Sequence, residues 1–242
     1  MSRLVLLRHG ESLFNQQERY AGWRDVGLSP RGCDQAWRAG ELLGAAGLEL
    51  DLAFASWLGR ALHTLWLALL GMERPWLPQV ASWRLNERHC GALEGLAKHE
   101  ARQRYGADVV EAWRSGLDSP PPLLKRDDPR HPAHDPRYAV LDPGDLPAGE
   151  SLAQVLRRLE PFWQQELRPR LARGERVLVV GHGVCLWGLA RLVAGPGLPG
   201  FRLPNANPLV MDLDQGLKPA GLRYLDHARA LPLPPVLPPV LP

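Results

Sequence analysis

Leu4-Val5-Leu6-Leu7-Arg8-His9-Gly10-Glu11-Ser12 opens the chain with four apolar residues, then arginine, histidine and glycine. An apolar run without alternation is the mark of a strand buried on both faces of a parallel sheet. Far downstream, Val177-Leu178-Val179-Val180-Gly181-His182-Gly183 repeats the pattern. Between them, Leu52-Ala53-Phe54-Ala55-Ser56 reads as another buried strand, followed by a helix over Leu58 to Leu70 with Leu62, Leu65, Trp66, Leu69 and Leu70 at helical spacing. Ser29-Pro30 starts a helix that runs through Ala36, Ala39, Leu42 and Leu43 and stops near Gly44 or Gly47. Strand and helix in alternation predict an α/β fold, a mostly parallel central sheet flanked by helices.

The remaining chain fills in around this frame. Ser151 starts a long helix whose Leu152, Val155, Leu156, Leu159, Phe162 and Trp163 form one face, with Pro161 expected to kink it. A further helix carries Leu186, Leu189 and Leu192, and Leu209 to Leu213 is a strand candidate. The segment from about 88 to 150 differs. Short helices are expected near His99 to Tyr105 and Val109 to Arg114, then a proline-rich stretch, so it reads as a helical and loop insertion over the active site, acting as a lid. One domain thus spans 1–230. Residues 231–242 hold six prolines and read as a mobile polyproline tail.

Composition excludes several classes. The 242 residues are 45% hydrophobic and 23% charged, which is neither disordered nor fibrous. Lys and Arg number 29 against 26 Asp and Glu, and a net charge of +3 argues for no nucleic-acid and no membrane partner. Cys33, Cys90 and Cys185 form neither a disulfide framework nor a zinc spacing, which suits a reducing, cytoplasmic setting. The N-terminal apolar run is too short for a signal peptide, and polar residues interrupt Leu52 to Leu70, so no membrane span is expected. Among the tryptophans, Trp37, Trp66 and Trp163 read as core or interface anchors.

Ligands of parallel sheets bind beyond the carboxyl ends of the strands. His9 and His182 each stand just past such an end, beside glycines that let a ligand approach the backbone. Arg60 lies near the start of the helix after the second strand, a place suited to phosphate, and Glu87 follows an apolar run ending at Leu85. Together they point to phosphoryl transfer through a phosphohistidine. An imidazole held through one nitrogen offers the other as nucleophile. Arg8, Arg60 and the second histidine stabilise the transferring group, and Glu87 supplies and recovers the leaving group's proton. This chemistry needs no metal, and His131 and His134, in the proline-rich stretch, read as solvent-exposed.

Arg8-His9-Gly10-Glu11-Ser12 resembles the signature of the histidine phosphatase superfamily, and the likeness extends to the bisphosphoglycerate-dependent phosphoglycerate mutases. It runs through Gly22-Trp23, Arg60-Ala61, Asn86-Glu87-Arg88-His89, Gly91-Ala92-Leu93-Glu94-Gly95, Glu150-Ser151, His182-Gly183 and Pro208-Leu209-Val210, over about residues 1 to 225. The resemblance implies that His9 is phosphorylated, that Arg8, Arg60 and His182 hold the phosphate, and that Glu87 shuttles the proton. It implies that Asn15, Gly22, Lys98 and Arg114 line the substrate site, with Gly183 near the phosphate. The implied reaction interconverts 3-phosphoglycerate and 2-phosphoglycerate, with 2,3-bisphosphoglycerate as primer, in a homodimer acting on a small phosphorylated metabolite.

Several positions depart from the mutase pattern. Ala21 stands where a hydroxyl residue is usual, Cys90 for tyrosine, Ser115 for arginine, Val184 for asparagine and Trp187 for arginine, and the loop Asn205-Ala206-Asn207 differs. These losses fall among groups that grip the substrate, and they keep open a second reading, a phosphatase of the same superfamily. A third, a non-catalytic module that binds a phosphometabolite, has no need of all five of Arg8, His9, Arg60, Glu87 and His182.

Overall fold

The computed structural model describes residues 2–234. Residues 235–242, most of the proline-rich tail, lie outside the described residues.

Strand β1 (Ser2–Arg8) is followed by the short helix α1 (Leu13–Gln16), then α2 (Pro30–Ala45), β2 (Leu52–Ala55) and α3 (Gly59–Gly71). Next come β3 (Gln79–Ala81), α4 (Lys98–Tyr105) and α5 (Ala107–Ser115). Helix α6 (Leu152–Phe162), a π-helical turn (Trp163–Leu167) and α7 (Arg168–Ala172) lead to β4 (Arg176–Gly181), α8 (Gly183–Ala194), β5 (Leu209–Leu213) and β6 (Pro219–Tyr224).

The six strands lie in the order β3-β2-β4-β1-β5-β6. β1, β2, β3 and β4 run parallel, while β5 and β6 are antiparallel additions. Successive side chains of a strand face opposite sides. Leu4 and Leu6 therefore enter one core with Phe54, Val177, Val179 and residues of α6 and α8, whereas Val5 and Leu7 enter the other with Ala53, Leu178, Val180 and residues of α2 and α3. Burial on both faces explains why β1 and β4 show no alternation.

Some expectations need correction. In α3 the buried face is Ala61, Leu65, Ala68 and Leu69; Leu62 and Trp66 are displaced around the helix and exposed. Trp37 is exposed as well, so of the three tryptophans read as core or interface anchors Trp163 is core and the other two lie on the surface. The helix continues past Pro161, and its irregularity is the π-turn that begins two residues later. β3 and β6 carry no strand signal: β3 is three exposed edge residues, and β6 begins with proline and contains Gly221.

The segment after β3 is tied down at many points. Ala92 N–H donates to the Pro122 carbonyl, Leu124 N–H to Ala148, and Glu150 N–H to His89. Tyr138 is buried, stacked on Trp57 with ring centroids 5.8 Å apart and packed against Trp23, and its hydroxyl accepts from Asn86. His131 is buried rather than solvent-exposed: its Nδ1 accepts from Ala133 N–H and caps a short 3₁₀ turn. His134 is exposed.

Candidate active site

Strand pairing alone brings the two histidines together. β1 and β4 are neighbours in register, Arg8 beside Gly181, so the residues that follow each strand are neighbours too. His9 N–H donates to the Gly181 carbonyl at 2.9 Å, and the rings of His9 and His182 are 5.0 Å apart, tilted by 58°. The sharp exit from β1 depends on Gly10. A Cβ there would meet the Gly32 carbonyl oxygen at 2.2 Å, so no other residue lets the loop lie against the start of α2.

A hydrogen bond to a carbonyl sets the tautomer of His9. His9 Nδ1 lies 2.6 Å from the Gly10 carbonyl, which only accepts, so Nδ1 carries the proton and Nε2 keeps its lone pair. His182 Nε2 lies 2.7 Å from Ser56 Oγ, just beyond β2, and Ser56 Oγ accepts from Leu58 N–H. His182 Nδ1 is buried without a protein partner. Burial first, then the nearby Arg60, holds both imidazoles well below the usual histidine range; Arg8 acts in the same direction. Both rings are therefore neutral at neutral pH.

The cations are equally fixed. Arg60 is 1% exposed; it donates through Nη1 to the Arg24 carbonyl and through Nη2 to the Gly22 carbonyl. Thr64 Oγ donates to the Arg60 carbonyl and accepts from Gly10 N–H, joining the two catalytic segments. Arg8 Nη1 donates to the Leu203 carbonyl. Arg8 Nε, Arg60 Nε and Arg88 Nε are all buried without a protein partner. Unpaired buried donors are costly, so three of them in one place, with the unpartnered His182 Nδ1 beside them, describe a cup shaped for an anion. An ideal Cβ on Gly183 would stand 3.8 Å from Arg8 Nε and 4.0 Å from Glu87 Oε2, so these two side chains converge beside Gly183. The first turn of α8, opening at Gly183, has no side-chain cap.

Glu87 is positioned through its backbone. Its carbonyl accepts from Trp23 Nε1 at 2.6 Å and from Arg158 Nη2 at 3.2 Å, while the buried Arg158 pairs with Glu150 at 2.7 Å. Asn15 Oδ1 accepts from Ser12 N–H and from Asn205 Nδ2, which also donates to the His9 carbonyl. That leaves the Asn15 amide N–H groups for a ligand.

The cavity is lined by Arg8, His9, Asn15, Gly22, Arg60 and Glu87, and also by Ser12, Arg19, Tyr20, Ala21, Arg88, Cys90 and Val184. The fully buried His182 and the partly buried Gly183 are not among the lining residues, and neither are Lys98 and Arg114. Lys98 is half exposed, 3.9 Å from Glu18, and Arg114 pairs with Glu111 on the outer face of α5. Arg88 takes the inner place: it donates to the Trp113 carbonyl and is 8% exposed. Ser56, Thr64, Trp23 and Arg158 are site residues that had no assigned role from the sequence, whereas Arg88 stands in a segment that carries the family resemblance and Asn205 in a loop that departs from it. Arg88 adjoins Glu87 in the chain and carried a signal; the roles of the others become visible only through contacts between distant segments. Among the described residues, no group of three or more His, Cys, Asp or Glu is placed to hold a metal ion, and no helix is long and apolar enough to cross a membrane.

Paired strand-end imidazoles within an arginine cup, on an α/β sheet, have the geometry to hold a phosphoryl group. The sequence profile of the histidine phosphatase superfamily (branch 1) matches residues 4–218, and the chain belongs to that superfamily. More narrowly, it is 47% identical, over 98% of its length and 99% of the relative's, to the 2,3-bisphosphoglycerate-dependent phosphoglycerate mutase of Maricaulis maris (strain MCS10). Among solved structures it is similar to the alpha-ribazole phosphatase of Shigella flexneri, with a TM-score of 0.64, 27% identity, and 96% and 100% of the two chains covered. It is also similar to the mycobacterial glucosyl-3-phosphoglycerate phosphatase, with a TM-score of 0.63, 25% identity, and 92% and 96% covered.

Proposed function

We propose that the protein is a phosphoglycerate mutase that interconverts 3-phosphoglycerate and 2-phosphoglycerate through phosphorylated His9, in glycolysis and gluconeogenesis. The observation that carries this is the likeness to the Maricaulis mutase along nearly the whole chain, joined to a cup with three buried unpaired donors. His9 Nε2, its lone pair exposed by the Nδ1 contact with Gly10, attacks phosphorus. Arg8, Arg60 and His182 Nδ1 bind the equatorial oxygens as charge spreads over them. Glu87 gives a proton to the leaving alkoxide and takes it back when the acceptor hydroxyl attacks. Asn15, Gly22, Gly183 and Arg88 orient the carbon skeleton, and Lys98 and Arg114 act from the rim.

2,3-Bisphosphoglycerate would supply the phosphoryl group that primes His9. The donor set fits it: Arg8, Arg60 and His182 for the transferring phosphate, and Arg88 with Arg19 for a second anionic group. On this reading the enzyme is cytoplasmic and works as a homodimer. Leu62 and Trp66 on α3, and Trp76 and Val80 before and in the edge strand β3, are exposed apolar side chains that support pairing with a second copy. Sedimentation at micromolar concentration tests this: a dimer is expected, and a monomer refutes it.

A second reading is favoured by one feature of the cavity. Ala21, Cys90 and Val184 form part of its wall. A wall that forms fewer hydrogen bonds with an intermediate holds it less firmly, each lost bond to a charged group being worth about 1.5–3 kcal/mol, and water then competes for the phosphohistidine. Incubation with 3-phosphoglycerate and trace 2,3-bisphosphoglycerate separates the two. Formation of 2-phosphoglycerate is expected; inorganic phosphate alone identifies a phosphatase.

A further inference from the structure

Glu94 takes no part in the chemistry above, yet it is 2% exposed and lies beneath the cup. Its Oε1 accepts from Trp23 N–H at 2.8 Å and from Cys90 N–H at 3.2 Å. Those donors belong to the two irregular segments that carry the site. The first, Gly22-Trp23, holds Arg60 through the Gly22 carbonyl and Glu87 through Trp23 Nε1. The second, Glu87 to Cys90, bears the proton-transfer group itself. The contact is close enough to dictate a residue type: Gly22 has φ +51°, and a Cβ there would meet Glu94 Oε1 at 1.9 Å. We propose that Glu94 is a positioning residue, a single buried carboxylate oxygen that pins the Gly22–Trp23 turn to the Glu87–Cys90 loop and thereby holds Arg60 and Glu87 in register. This rests on the phosphoryl-transfer reading of the site.

The surroundings of Glu94 add a pH dependence. His89 Nδ1 lies 3.4 Å from Glu94 Oε1 and accepts from Gly91 N–H, so it offers a lone pair rather than a proton. Burial pushes His89 down to about 3, and it is neutral. The charges facing Glu94 are Arg60 from α3 and Arg130 from the proline-rich segment, whose Nη1 also donates to the Glu94 carbonyl. His131, Arg158 and Arg130 face His89, and the Cys90 thiol, raised to about 12 by burial, stays neutral. Desolvation outweighs the hydrogen bonds and the two arginines, and it pushes the Glu94 carboxyl up to about 7. A carboxyl raised on folding stabilises the folded state below its unfolded value of 4.5, and that contribution is lost as pH rises through about 7.

Three variants test the proposal in the full-length protein. Glu94→Gln keeps an acceptor oxygen and removes the charge. It should leave kcat and the affinity for inorganic phosphate within about twofold, and its Tm relative to wild type should climb as pH goes from 5 to 8. Glu94→Leu leaves both N–H groups unpaired and should lower kcat at least about tenfold, with KM and phosphate affinity moving less. Glu94→Asp, a smaller change that keeps the charge, should lower kcat in the same direction and covers the case in which the leucine variant does not fold. A glutamine variant as impaired as the leucine variant, full kcat in the leucine variant, or, where that variant does not fold, full kcat in the aspartate variant overturns the proposal. A wild-type protein without phosphoryl transfer refutes the functional reading instead, while the Tm comparison still reports on Glu94.

Discussion

The two halves of the site are built differently. Its floor is made of strand ends: His9 follows β1, His182 follows β4, and Ser56 follows β2, three neighbours in one parallel sheet. Its rim is made of irregular chain, with Arg88 and Cys90 facing inward and Lys98 and Arg114 half exposed on short helices. The floor is buried, its donors are tied to backbone carbonyls, and its position follows from strand register. The rim is held by side chains such as Glu94, Arg158 and Tyr138 that reach across from other segments. Chemistry that tolerates little displacement is assigned to the sheet, and selection among phosphorylated ligands to the rim.

Substitutions should separate the halves, with the largest effects on the floor. His9→Ala removes the nucleophile and should cost at least about 10³-fold in kcat for phosphoryl transfer, read by coupled assay. Arg60→Ala comes next. It removes a transition-state charge worth about 10²–10³ in kcat, and it strands the Gly22 and Arg24 carbonyls at about 1–3 kcal/mol each, so Tm should fall as well. Ser56→Ala removes the partner of His182 Nε2 and the acceptor of Leu58 N–H; a loss of about fivefold in kcat, from about 1 kcal/mol, is expected with a small fall in Tm. At the rim, Arg88→Ala should raise KM about tenfold, whereas Lys98→Ala and Arg114→Ala should change it only about twofold, because exposed charges are screened. Equal losses for Arg88 and Arg114 would erase the distinction between inner and outer rim.

Acid titration reads the buried imidazoles of floor and rim together, since His89 and His131 are depressed as well. His9 and His182 are depressed on folding, so the unfolded chain binds protons that the folded site does not. Their contribution to stability is complete above the unfolded value of 6.5 and is lost as pH falls below it, opposite in sign to that of Glu94. Tm of the Glu94→Gln variant, which lacks the opposing carboxyl, should show this fall from pH 7.5 to 5, and saturating inorganic phosphate should reduce it, since an anion between the rings favours their protonation.

The same division governs what was legible in the sequence. Leu4 to His9 and Val177 to His182 announce buried strands with a histidine at each end, because double-sided burial leaves a plain apolar run. That the two strands are neighbours is not written in either run, since it depends on strand order across more than 160 intervening residues. Arg60 reads as a helix-start arginine; its grip on the Gly22 and Arg24 carbonyls belongs to the folded loop. Glu94 and Arg158 read as ordinary charged residues, because burial of a charge is a tertiary event. His131 misleads because its imidazole accepts a backbone N–H within its own turn, a local bond with no periodic signature.

The central claim is that the two imidazoles form one cup in which His9 alone carries the phosphoryl group. It is tested by exposing the protein to 2,3-bisphosphoglycerate, quenching in alkali and mapping the acid-labile phosphate by peptide mass spectrometry. Stoichiometric label is expected on His9, none on His182, and none anywhere in the His9→Ala variant. Label on His182, or no acid-labile phosphate at all, would contradict it.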